Sequence, residues 1–234
     1  MSEGGPDVAH RADETAGVGR EIVVWDLPTR LFHWLAVLLI VAAYATARLG
    51  WMDWHARAGD ALLVALLFRL LWGFFGSQTA RFSTFLVSPP AAVRHLAHAL
   101  RREPDLQIGH NPAGGWMVLL LIALMLGQTL AGLYVGNDIA EEGPLSERVP
   151  AVVANWIDVL HDRLLWDALL IAAAIHVLAI VAYATVKRHN LLWPMIAGRK
   201  VLPPEAAPRM ASRVRAALAL GASVTLAAAL IYCI

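Results

Sequence analysis

The sequence predicts an all-α integral membrane protein, a transmembrane four-helix bundle with one additional C-terminal transmembrane helix. Three observations carry this. The chain is 59% hydrophobic and only 16% charged, with a mean hydropathy of +0.58, far from an average soluble domain. Five stretches approach the roughly 20 apolar residues that cross a bilayer. The polar connections between them differ in the sign of their charge.

The elements follow in chain order. Residues 1–21 are polar and mixed in charge and read as a cytoplasmic leader, since a signal peptide needs an apolar run near its start. The first span covers about residues 31–49 and the second about 56–75. The connection that follows contains "AAVRHLAHALRRE", with apolar residues at helical spacing and basic residues between them. It predicts a short helix lying on the membrane surface, with His95 and His98 on its solvated face. The third span covers about 114–136 and is thinned by Gly127, Gly132 and Gly136; the fourth covers about 161–186 and the fifth about 214–232. Each span must be helical, because lipid offers no partner to an open backbone.

Loop charge then sets orientation. Arg81, Arg94, Arg101 and Arg102 join spans two and three. Lys187, Arg188, Arg199, Lys200, Arg209, Arg213 and Arg215 follow span four. Between spans three and four stand Asp138, Glu141, Glu142, Glu147 and Asp158 against Arg148 alone. The positive-inside rule places the basic connections and the N-terminus in the cytoplasm and the C-terminus outside. The single cysteine, Cys233, excludes an internal disulfide and cysteine-rich zinc or iron–sulfur sites, and no CxxCH motif attaches a c-type haem. A net charge of +1 gives no sign of a nucleic-acid partner.

Nine histidines remain to be sorted. His10 lies in the leader and His189 in a basic loop; His110, in "GHNPAGG", reads as a loop residue at a helix start. His33, His55, His161 and His176 lie within spans or at their edges. An ionisable group there is costly and marks a functional site by default. His161 and His176 are 15 residues apart, roughly 22 Å along one helix, and face broadly one way. Tracing the spans places His33 and His176 at the inner depth and His55 and His161 at the outer depth. Imidazoles that merely bond across helices are one reading of such pairs; transition-metal ligation from facing helices is the other. Bis-histidine haem fits best, because its flat macrocycle slots between helices. Ala168, Ala172 and Gly59 leave space beside the histidines, although small residues also serve ordinary helix packing. Arg30 and Arg69 are candidate partners for haem propionates, and Arg57 and Arg163 lie near the outer pair. Asp60 and Asp167 sit near outer helix ends and the spans hold no Glu, which weakens a bare-metal or transporter reading.

The segments "VVWDLPTRLFHW", "WHARAGDALLVALLFRLLWGFFG", "IGHNPAGGWMVLLLIALMLGQTLAGL", "LHDRLLWDALLIAAAIHVLAI" and "KRHNLLWPMIAGRK" occur in that order. Together they resemble the prokaryotic cytochrome b561 / nickel–iron hydrogenase cytochrome b subunit family, in its cytochrome b/b6 domain branch, over about residues 22–202. The resemblance implies a transmembrane four-helix haem-binding bundle with an extra helix. It also implies two b-type haems, with His33 and His176 as inner ligands and His55 and His161 as outer ligands. Residues 1–21 then form the leader, 22–202 the di-haem domain, and 203–234 a linker with the fifth helix. The implied function is electron transfer between membrane quinone and a periplasmic partner, a c-type cytochrome docked on the acidic outer loop or a Ni,Fe-hydrogenase. A superoxide:quinone oxidoreductase and a cofactor-free membrane anchor are the alternatives. The expected setting is a bacterial inner membrane, amid lipid and quinol, with a homodimer as a further association. His110, Asn111 and Trp193 are the quinone candidates by depth.

Overall fold

The computed structural model describes residues 19–97, 105–136 and 143–232. Residues 1–18 with His10, and His98, Arg101, Arg102, Asp138, Glu141, Glu142 and Cys233, lie outside them. The chain begins with strand β1 (Arg20–Val23) and the helices α1 (Leu27–Arg48) and α2 (Met52–Phe75). A short α3 (Pro89–Ala97) leads to α4 (Pro112–Gly132) and the long α5 (Ala151–Lys187). Then come α6 (Leu192–Ala197), strand β2 (Arg199–Leu202) and α7 (Arg213–Tyr232). Helices α1, α2, α4, α5 and α7 are each long and apolar enough to cross a membrane. Their outward side chains, among them Leu38, Val41, Leu178 and Leu218, remain open to the surroundings, as lipid-facing residues do. The protein is a multi-pass membrane protein.

Local chemistry places the helix starts. The Thr29 backbone N–H donates to Asp26 Oδ1 (2.8 Å), and Pro28 follows at a position where a missing N–H costs nothing. Asn111 repeats the device at α4, accepting from the Gly114 N–H (2.7 Å) ahead of Pro112. Helix α2 is the hub. Leu62, Leu63, Leu66, Phe68 and Trp72 are buried along it. One group packs with α1, α4 and α5 through Ala36, Ile122, Met125 and Leu169; another packs with α7 through Ala227 and Ile231. Helix α5 packs along α4, and no comparably close backbone packing joins it to α1 or α2 among the described residues. A slot therefore runs between α5 and the first two helices. Tyr44 and Trp166 stack across it at 5.2 Å and 9°.

One end of the bundle is closed by a clasp that the hydropathy pattern does not reveal. β1 and β2 pair antiparallel, with Arg20 opposite Leu202 and Val23 opposite Arg199. The Val24 and Trp25 N–H groups donate to Gly198 O (2.9 and 3.2 Å). A side chain at Gly198 would lie 2.9 Å from Trp25 O, and its φ of +81° suits glycine. The clasp joins the segment before α1 to the segment after α5, as expected if both lie on one side of the membrane.

Helix bounds depart from the hydropathy reading where polar residues continue a helix. α2 starts at Met52, which puts His55 in its first turn. α5 starts at Ala151 because the amphipathic run through Asn155 and Asp158 stays helical. α4 stops at Gly132, so Gly136 lies beyond it. The described part of the surface helix is Pro89–Ala97.

Asp26 also accepts from Trp72 Nε1 (3.0 Å), so one buried carboxylate both caps α1 and docks it on α2. Asp26→Ala removes the cap and strands the indole N–H. It is expected to cost about 2–4 kcal/mol, read as a lower melting temperature than Asp26→Asn in detergent.

A candidate functional site of two facing histidine pairs

The slot brings the four histidines together as two pairs. His33 on α1 and His176 on α5 stand with ring centroids 6.4 Å apart and planes at 52°. His55 on α2 and His161 on α5 stand 6.1 Å apart at 90°. These distances suit one shared metal. A metal–imidazole bond of about 2.0 Å plus a ring radius of about 1.1 Å on each side would separate two imidazoles on one metal by about 6 Å. Among the described residues, no three His, Cys, Asp or Glu side chains gather as a metal site. Two protein ligands per position match a macrocycle that brings its own nitrogens.

In the His55–His161 pair, both rings are anchored through Nδ1 to backbone carbonyls. His55 Nδ1 bonds to Ala43 O (2.8 Å), and His161 Nδ1 bonds to Gln128 O (3.0 Å). A carbonyl only accepts, so each Nδ1 carries the proton and each Nε2 keeps its lone pair. Gln128 Nε2 in turn donates to His161 O (3.0 Å), locking the ring to α4. His161 lies in a π-helical segment, Leu160–Leu165, a widened turn that re-aims a side chain. Gly132 permits the approach of α4: a Cβ there would lie 3.0 Å from His161 Cε1. Gly59, one turn after His55, is half-buried yet has no atom within 4 Å of where a Cβ would stand. That is room for a flat ligand. Ala168 is half-buried, and Ala172 is fully buried.

The inner pair is built differently. His33 Nδ1 is buried without a partner, its ring edge-on to Trp34 at 4.8 Å. Arg69 is 2% exposed, and neither of its terminal nitrogens has a partner among the described residues. Its guanidinium lies 5.0 Å over the Phe82 ring. Arg30 donates through one nitrogen to Ile196 O (2.6 Å), while its buried Nε has no partner. Buried cationic donors without partners need an anion, and haem propionates have that chemistry. The residues present therefore fit haem.

His110 is more than the loop residue that its sequence context suggests. Its ring packs between Trp25 and Phe85, each 4.7 Å away, and its Nδ1 is buried without a partner. Burial, with the charges of Arg69, His176 and His33, pushes its pKa down to about 3, which ties it to the inner pair. Only its place before the Asn111 cap hinted at this. His95 also departs from the expected solvated face. Its Nε2 shares a hydrogen bond with the Tyr183 hydroxyl (3.0 Å), which accepts from Asn111 Nδ2 as well (2.7 Å). Arg57 lies over the Trp54 ring at 5.0 Å, Arg163 is exposed, and Trp193 is 59% exposed.

Apolar helices arranged around facing histidine pairs are the architecture of a membrane cytochrome. The chain belongs to the prokaryotic cytochrome b561 family, whose model matches residues 24–198. Relatives carry the name probable Ni/Fe-hydrogenase B-type cytochrome subunit. One from Bradyrhizobium diazoefficiens is 28% identical, covering 85% of this chain and 95% of its own. Another from Azotobacter vinelandii is 26% identical over 76% of this chain and 87% of its own. A third from Rhodobacter capsulatus is 24% identical over 76% and 81%. No solved structure gives a significant match. The protein is thus a b-type haem protein of membrane electron transfer.

The depressed His110 pKa has a consequence for stability. An unfolded chain takes up a proton near pH 6.5 that folded His110 refuses until about pH 3. Stability from this group therefore falls as pH falls through that window, by up to about 1.4 kcal/mol per pH unit. His110→Gln is expected to flatten the acid limb of a melting-temperature profile between those values. An unchanged slope contradicts the burial.

Proposed function

We propose that the protein is a di-haem b-type cytochrome that carries electrons between membrane quinone and a redox partner at the outer face. One observation carries this reading: two histidine pairs face each other at 6.4 and 6.1 Å at opposite depths of one slot. His33 and His176 hold the inner haem and His55 and His161 the outer one. Each haem, when bound, supplies a one-electron centre. The chain does the rest. The carbonyls of Ala43 and Gln128 make the outer imidazoles stronger donors, which favours the oxidised metal. The buried charge of Arg69 favours the reduced metal at the inner position, and Arg69 and Arg30 take the propionates. The apolar wall of the slot, with Leu169 and Ala172 buried on α5, keeps water from the interval.

The relatives support a Ni,Fe-hydrogenase as the outer partner, since those matched across most of this chain bear that name. A c-type cytochrome is the second reading, favoured by the acidic outer connection. Of that connection Glu147 is exposed, whereas Asp158 accepts from the Gly136 N–H (3.2 Å) and is engaged within the fold. A superoxide:quinone oxidoreductase would want a basic outer funnel, which this acidity opposes. Quinone binds at the inner end, with His110 and Asn111 as the candidates; His110 is close enough to His33 and His176 to feel their charge. The membrane is the bacterial inner membrane, with the N-terminus cytoplasmic and the C-terminus periplasmic. Residues 22–202 form the haem domain, whose end coincides with the last paired residue of the β1–β2 clasp, Leu202, although Arg20 and Glu21 also pair there. Residues 1–21 form the leader and residues 203–234 the linker and fifth helix.

Two outcomes test the assignment. His55→Ala and His161→Ala are expected to remove one and the same haem from the reduced-minus-oxidised spectrum, and His33→Ala and His176→Ala the other. Loss of different haems within a pair refutes the pairing. Potentiometric titration of Arg69→Gln is expected to lower the inner midpoint by tens of millivolts and leave the outer one in place, with Arg69→Lys restoring most of the shift. An unmoved inner midpoint rejects the role given to Arg69.

A further inference from the structure

At the inner end of α2 a cavity of about 430 Å³ opens between the end of that helix and the start of α7, lined by Phe74, Phe75, Arg81 and Arg215. It lies outside the slot that holds the histidines. The two rings are 65% and 60% exposed at the last turn of a membrane-spanning helix, where the surroundings change from acyl chain to headgroup. The two arginines are fixed by the backbone rather than by acids. Arg81 Nε donates to Gly76 O (2.9 Å), and one terminal nitrogen of Arg215 donates to Phe75 O (3.2 Å). Among the described residues, no carboxylate lines the cavity. Each guanidinium has five N–H donors and spends one here, so four from each remain.

The frame around them is rigid. Gln78 N–H donates to Arg209 O (2.9 Å), and the Arg209 N–H returns a bond to Gln78 Oε1 (3.0 Å). The Ala211 N–H donates to the buried Ser77 Oγ (2.9 Å). These bonds stitch the approach of α7 to the turn after α2. Ala211, Ala216 and Ala219 then pack on Phe68 and Trp72. Two guanidiniums from two different elements are thus held at one cleft, above an apolar wall.

We propose that this cleft binds the phosphodiester headgroup of an anionic phospholipid, which clamps the fifth helix to the haem-bearing core. The fit is one of charge and level. Guanidinium forks match phosphate oxygens in bidentate fashion, basic pockets between helices on the cytoplasmic side take such headgroups, and Phe74 and Phe75 receive the root of an acyl chain. A soluble anion would have no use for two exposed rings.

The test uses the whole haem-loaded protein in nanodiscs of phosphatidylcholine with a minor fraction of phosphatidylglycerol, and reads co-retained lipid by native mass spectrometry. Wild type is expected to retain phosphatidylglycerol in preference. R81Q/R215Q is expected to lose that preference at least tenfold, with its haem spectrum intact, and R48Q at the opposite end of α1 is expected to keep it. Equal retention by R81Q/R215Q and wild type overturns the proposal. So does displacement of the retained lipid by millimolar inorganic phosphate, which would mark a soluble-anion site. If R81Q/R215Q does not hold its haem, R81K/R215K keeps the charge and loses the fork; undiminished preference there overturns the proposal equally.

Discussion

An imidazole inside a hydrocarbon layer must have its nitrogens satisfied, and four such rings in one small bundle constrain everything around them. Helix α5 carries two of them on one side, so the first and second helices must each present a partner at the matching depth. The slot between α5 and these helices follows from that demand. Side chains of ordinary size would have closed it. Instead α5 leans on α4, Gly132 admits the His161 ring, and the space beside Gly59 stays open. The hub role of α2 follows as well, since it must hold α1 on one side and α7 on another while offering His55 to the slot.

The two positions meet the demand by different means. At the outer one, backbone carbonyls of Ala43 and Gln128 take the Nδ1 protons, and the rings are ready to ligate. At the inner one, buried donors stand without partners in Arg69, Arg30 and His33. Such donors are expensive to leave unpaired. The open donors of Arg69, close to His110, are the strongest physical sign of an anionic ligand at this end. This difference also gives the two histidine pairs different electrostatic settings within one bundle.

Much of this was legible in the chain. The spans follow from hydropathy, and the pairing of His33 with His176 and His55 with His161 follows from chain direction and helix rise, both local properties. The hidden parts depend on contacts between distant residues. The β1–β2 clasp uses strands too short to show alternation. Its register comes from Gly198 and Trp25 meeting across the bundle. His95 was assigned to water because its own helix is basic, yet Tyr183 comes from α5 to meet it. His110 looked like a loop residue because nothing near it in sequence shows that Trp25, Phe85 and Arg69 surround it. The start of α5 is hidden for a simpler reason, since Asn155 and Asp158 interrupt the apolar pattern in a run that stays helical.

The proposed function requires one chain to hold two haems in one slot. Haem iron per polypeptide, measured on the purified protein by pyridine haemochromogen absorbance against amino-acid analysis, tests it most directly. A ratio of about two is expected, with every bound haem low-spin, as two imidazole ligands require. A ratio of about one in fully loaded protein, or a high-spin fraction that stays constant through purification, would contradict it.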